Sequence, residues 1–181
     1  MPADDRRAIA EAISPLRAVM MAPADVSWVQ EPSLHLTMKF LGEVNGDRAD
    51  ALVAALAPVA GAHRAFELEV DGAGAFPHWR APRVMWVGVA HSPKLELLYH
   101  EVEGACVALG HELEGRPFSP HVTVARVRKP LAASIARALG NAARAVTYHS
   151  SVPVRSVDVM SSTLAAGGSR YDVVSVLPLK E

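Results

Sequence analysis

Histidine and threonine recur at one spacing in two distant places along the chain, His35-Leu-Thr37 and His121-Val-Thr123. With eight histidines and four threonines in 181 residues, such a triplet arises by chance about 0.2 times, so two copies, one in each half, carry information that one would not. In a strand, residues i and i+2 point to the same face, so each motif presents an imidazole beside a hydroxyl. Two such motifs facing each other would place two bases or acids and two donors around one point. An imidazole with an ordinary pKa of about 6.5 serves as acid or base near neutrality. Opening a cyclic phosphodiester needs both roles together, one group taking a proton from attacking water and the other protonating the departing ribose oxygen. Each positioned acid or base contributes about 10²–10⁴-fold. The hydroxyls of Thr37 and Thr123 suit the non-bridging phosphate oxygens, where charge builds. The motifs are symmetric and do not say which histidine is acid and which is base. Catalytic zinc takes three protein ligands, and neither motif has a carboxylate or cysteine beside it, so no metal or other cofactor is expected. His63, His78, His91, His100, His111 and His149 lack such neighbours and read as surface or helix residues.

The surrounding pattern supplies elements to hold the motifs. A helix is predicted over 3–21, with Ile9, Ile13, Leu16 and Met20 at helical spacing and Pro15 dividing it. Trp28 lies in a short strand, and Glu31-Pro32 forms a turn. Residues 33–41 alternate as a strand ended by Gly42. A helix over 47–57 follows, with Asn45 or Asp47 as its cap. Next come a half-exposed strand at 66–70, a turn-rich stretch over 71–77 and a buried strand over 83–89. Ser92-Pro93 opens a helix running to about Leu109, with Gly110 at its end. The second motif lies in a strand over 119–127. A helix over 130–139 ended by Gly140 follows, then strands near 146–154, 156–164 and 171–177. Laying the chain on itself at an offset of 86 puts Ser33 on Ser119, His35 on His121, Thr37 on Thr123 and strand 66–70 on 152–156. This weak repeat predicts one bilobal domain over 1–181, with motif strands 33–41 and 119–127. The fold class is α+β: two pseudo-symmetric lobes, each an antiparallel sheet with helices on one face, flanking a central cleft.

Composition narrows the partners. Half the residues are hydrophobic and a fifth are charged, enough apolar surface for a sizeable core. Every apolar stretch is interrupted well before the length of a membrane span, and the first residues lack the apolar run of a signal peptide, so a cytoplasmic protein is expected. The single cysteine, Cys106, forms no internal disulfide and reads as a core thiol. A net charge of −1 argues against a large basic surface for duplex nucleic acid. The charge is unevenly spread, however. Residues 116–181 carry nine basic and three acidic groups, against nine basic and sixteen acidic in residues 1–115. That asymmetry fits either a solvated face or a local anion site suited to a terminal phosphate.

The stretches Leu34-His-Leu-Thr-Met-Lys-Phe-Leu-Gly42 and Phe118-Ser-Pro-His-Val-Thr-Val-Ala-Arg126 resemble the paired signatures of the two-histidine (2H) phosphoesterase superfamily. Within it they are similar to the RNA 2′,3′-cyclic phosphodiesterases first described as 2′-5′ RNA ligases. Gly74-Ala-Phe-Pro77, Pro82-Arg-Val-Met-Trp-Val-Gly88 and Ser169-Arg-Tyr171 fit the same pattern, and the resemblance covers roughly residues 5–180. It implies two α+β lobes around a V-shaped cleft and hydrolysis of an RNA 2′,3′-cyclic phosphate end to a 2′-phosphate. It assigns His35 as proton donor to O3′, His121 as the acceptor that activates water, and Thr37 and Thr123 as phosphate ligands. Phe40 and Arg126, each five residues past its histidine, would contact the terminal nucleotide by stacking and ion pairing. Strand alternation puts that position on the face away from the histidine, so a bulge or strand end is required. Core packing is the competing role for Phe40. The resemblance implies an opening strand, but none is expected here, since Met1-Pro2 leads straight into the first helix, through either a truncated start or a real variation. A monomer with an RNA-end partner and no membrane association is expected. Ligation through the same histidines, and a non-catalytic module that binds RNA or nucleotide ends, are the alternatives, and small cyclic nucleotides compete with RNA as substrate.

Overall fold

Glycine and proline punctuate a chain that the structure, a computed structural model, describes over residues 1–20, 25–165 and 168–181. Met21, the expected last residue of the first helix, lies outside those residues. Up to that point the helix divides as Pro15 requires, into α1 (Ala3–Ala12) and α2 (Ser14–Val19). A short strand, β1 (Val26–Trp28), leads into a 3₁₀ turn at Glu31–Ser33. Helix α3 (Gly46–Ala62) is capped by the Asn45 side chain, which accepts from the Arg48 N–H. It continues past the expected end at 57 and through Pro58, because Leu56 and Ala60 on either side are both buried in one core. Then follow β2 (Phe66–Phe76), β3 (Val84–Val89) and α4 (Pro93–Ala108), whose Ser92 cap accepts from the Leu95 N–H. The chain ends with β4 (His121–Val127), α5 (Ala133–Ala143), β5 (His149–Val154), β6 (Ser156–Ala165) and β7 (Gly168–Pro178).

All pairings within the two sheets are antiparallel. One sheet has five strands in the order β1-β4-β3-β2-β5, and the other is the β6-β7 ribbon. Helices cover one face. Ile9 of α1, Ile13 between α1 and α2, Leu16 of α2 and Leu139 of α5 pack on Met85, Val87, Val122 and Val124 of the large sheet. A second core joins α3 and α4 to Leu68, Val157 and Leu177, and it contains the buried Cys106.

Three local expectations need correction. Residues 33–41 do not form a strand: beyond the 3₁₀ turn they run irregularly, with one isolated antiparallel bridge, Leu36↔Val122. Their fixing comes from side chains instead, as Lys39 reaches Glu103 on α4 and the Glu112 carbonyl, each at 2.7 Å. The stretch 71–77 is not a turn, since β2 runs on to Phe76 with a bulge at Gly72. Gly72 takes the left-handed φ of +65° that the bulge needs, while Gly74 makes room for a ring: a Cβ there would lie 2.1 Å from the Trp86 indole. Finally, Gly140 does not end α5. The helix starts at 133 rather than 130 and continues to Ala143, and the bare Gly140 backbone seats Trp79, whose Cβ would be 3.2 Å from an added methyl.

Candidate active site

The uncovered face of the large sheet carries the second motif. Val122 and Val124 of β4 point into the core, so His121 and Thr123 point away from it. Their neighbours across β3 are Gly88 and Trp86, and Trp86 in turn faces Gly74 of β2. On the other edge of β4, the chain follows β1, makes its 3₁₀ excursion, and returns at the Leu36↔Val122 bridge. Stepping one residue each way from that antiparallel bridge sets His35 opposite Thr123 and Thr37 opposite His121. The two histidines are therefore diagonal neighbours, a relation that separates backbones by about 7–8 Å. All four side chains are partly exposed.

Both imidazoles are held alike. His35 Nδ1 lies 2.7 Å from the Ser33 carbonyl oxygen, and His121 Nδ1 lies 2.7 Å from that of Ser119. A carbonyl only accepts, so each Nδ1 carries the proton and donates, leaving each Nε2 as the reactive nitrogen. Aromatic rings back both imidazoles: Tyr171 of β7 meets His35 edge-on at 4.6 Å, and Phe76 of β2 meets His121 edge-on at 5.0 Å. Trp86 lies 5.2 Å from Phe76 and 6.3 Å from His121. Burial pushes the His35 imidazole below its ordinary value against the opposing effect of the Ser33 bond, and the positive charge of Arg126 adds to the lowering.

Arg126 reaches this face through a bulge. Met85 pairs with Ala125 and Trp86 with Thr123, so Val124 is the extra residue. Val124 and Ala125 are both fully buried, and the alternation resumes with Arg126 exposed on the histidine side. The requirement set by position +5 is thus met in the second motif. Phe40 differs: it follows an irregular segment, is 70% exposed, and is not packed in either core. Among the other histidines, His63, His91 and His149 stand beside Glu101, Glu96 and Glu69. Among the described residues, no three or more His, Cys, Asp or Glu side chains are grouped as a metal site, and no helix is long and apolar enough to cross a membrane.

Sequence reasoning did not single out Phe76, Trp86 or Tyr171 as site residues, although each lies in a stretch that carried the family resemblance. Alternation along β3 could have set Trp86 on the face of Gly88. The cross-strand register that brings Phe76 to His121 had no signal in the sequence.

Comparison with known proteins follows the same lines. A family model described as the 2′-5′ RNA ligase superfamily matches residues 5–164. The RNA 2′,3′-cyclic phosphodiesterase of Geobacillus stearothermophilus is 34% identical over 153 residues, covering 84% of this chain and 48% of that protein. The chain therefore spans about half the length of that relative. The protein of the same name from Aeropyrum pernix is 32% identical over 148 residues, 79% of this chain and 80% of its own. The crystal structure of Escherichia coli LigT complexed with 3′-AMP matches at a TM-score of 0.73 and 26% identity, covering 100% of this chain and 94% of that one.

Proposed function

Because the chain belongs to the 2′-5′ RNA ligase superfamily, we propose that it hydrolyses the 2′,3′-cyclic phosphate end of an RNA to a 2′-phosphate without a metal. The observation that carries this reading is the identical anchoring of His35 and His121, each with Nδ1 on the carbonyl two residues before it and Nε2 free. Water attacks phosphorus as His121 Nε2 takes its proton. The P–O3′ bond breaks, and O3′ takes the proton carried by His35 Nε2. Thr37 and Thr123 donate to the non-bridging oxygens, which gain charge as the pentavalent transition state forms. Arg126 pairs with the substrate's phosphate and Phe40 stacks on its terminal base. A bound phosphate also supplies the anion that favours the protonated form of the half-buried His35, as a donor requires.

The same reading treats residues 1–181 as one bilobal unit with an internal repeat. It is supported by two cross-strand partners, Leu36↔Val122 and Glu67↔Pro153, each pair separated by the repeat offset of 86.

The test is incubation with an RNA ending in 2′,3′-cyclic phosphate, in EDTA, with the phosphate position in the product identified. Wild-type protein should give a 2′-phosphate at a rate EDTA does not change, and His35→Ala and His121→Ala should each lose at least about 10²-fold. Full activity in either variant ends the mechanism. A 5′-hydroxyl RNA added to the same reaction separates hydrolysis from 2′-5′ joining.

A further inference from the structure

Away from the histidine face, at the edge of the same sheet, lies a groove of about 790 Å³ lined by Trp79, Arg80, Arg137, Gly140, Asn141 and Arg144 among others. Its floor is the stretch of β2 where the ladder to β5 has ended: the last pair is Asp71↔His149, and Gly72 and Ala73 line the opening. No acidic side chain lines it. The three arginines are exposed, and none takes part in an ion pair among the described residues. Two of them come from the C-terminal stretch that carries nine basic and three acidic groups. Trp79 is half-buried and is backed by the bare backbone of Gly140, so its ring is a fixed wall of the groove.

We infer that this groove holds the single-stranded RNA leading up to the terminal phosphate, an inference that rests on the function proposed above. Unpaired arginines beside one fixed aromatic ring match a flexible polyanion that carries bases: guanidinium groups neutralise successive phosphates while a base stacks on the indole. From His121 on β4 to β2 is two strand spacings, roughly 10 Å, and beyond that the path rounds the edge of β2 to reach the groove on the other face. The route passes Phe76, which touches His121, and the loop from Pro77 carries the chain to Trp79. Arg83 closes that loop by donating its N–H to the Phe76 carbonyl at 2.7 Å.

The experiment compares a 2′,3′-cyclic mononucleotide with a single-stranded RNA of about 20 nucleotides carrying the same end, longer than a typical single-strand site. In the Arg137→Ala/Arg144→Ala double variant, KM for the long RNA should rise about tenfold with kcat held. The salt slope should shrink by roughly 0.7 for each phosphate that is no longer neutralised. The mononucleotide should be hydrolysed as by wild type. Equal effects on both substrates, or none on the long RNA, overturn the groove assignment. Opening of neither substrate by wild-type protein counts against the proposed function instead. The groove is then judged by fluorescence anisotropy of the labelled long RNA on a His35→Ala background, where binding should weaken in the double arginine variant and several-fold with Trp79→Leu. Displacement of that RNA by poly-glutamate of equal charge as readily as by unlabelled RNA would mean that charge alone is read, and would refute RNA as the occupant.

Discussion

The Lys39–Glu103 pair is the strongest fixed point of the segment that carries the first motif, and Lys39→Met tests it. The two charged groups are 2.7 Å apart, with side chains only 8% and 6% exposed. At that distance and an effective dielectric of about 20, their attraction is about 6 kcal/mol before desolvation is subtracted. Glu103 Oε1 also accepts from the Glu114 N–H at 2.8 Å, while Oε2 is buried without a partner. Removing Lys39 therefore strands a buried carboxylate, which costs about 3–5 kcal/mol. For a chain of this length that lowers Tm by about 6–20 °C, at about 2–4 °C per kcal/mol. Adding Glu103→Gln removes the stranded charge and keeps an oxygen to accept from the Glu114 N–H. The double variant should accordingly recover to within about 2 kcal/mol of wild type. Urea and thermal unfolding of the four proteins of the cycle measure the coupling. A destabilisation under about 1 kcal/mol in the single variant, or a double variant less stable than Lys39→Met, would refute the reasoning.

Two further outcomes follow from the site. If His35 donates the proton, kcat/KM must fall as rising pH strips it from the free enzyme, and burial sets that limb below about 6.5. An NMR titration of His35 should show the same low value and an upward move when a 2′-phosphorylated nucleotide binds; a free value above 6.5 would refute it. Gly74→Ala should drive the Trp86 indole out of its seat, because the new Cβ would stand 2.1 Å from the ring, and overpacking of this kind costs about 1–3 kcal/mol. Near-UV circular dichroism should change and kcat/KM should drop with it; an unaltered spectrum would show that the ring has room.

The contrast between Arg126 and Phe40 shows what could be read from the chain and what could not. Both stand five residues past a histidine, and alternation alone puts both on the face away from it. In β4 a ladder exists on each side, so one extra residue, Val124, is absorbed as a bulge and Arg126 is turned back. Around Phe40 there is no ladder to bulge, because the segment is tied down by the Lys39 side chain. Propensity marked 33–41 as a strand, but the structure has a 3₁₀ turn to Ser33 and then one isolated bridge at Leu36. Whether an extended segment joins a sheet depends on a free edge, and β1 already occupies the edge of β4 at Ala125 to Val127. Gly74 and Gly140 misled for a related reason: each accommodates a tryptophan from elsewhere in the chain, a contact invisible to local pattern.

The register of the two motifs, by contrast, follows from the two-fold repeat proposed above. A two-fold axis relating halves offset by 86 carries residue i onto i+86, and an antiparallel crossing on that axis can pair only residues so related. Leu36 meeting Val122 satisfies that condition at the midpoint of both motifs, and Glu67 meeting Pro153 satisfies it again 31 residues later in each half. A crossing centred between histidine and threonine necessarily sets each histidine against the opposite threonine. The proximity of the two imidazoles is then a consequence of spacing within the motif, and a slip by one residue would send one of the two motifs into the core.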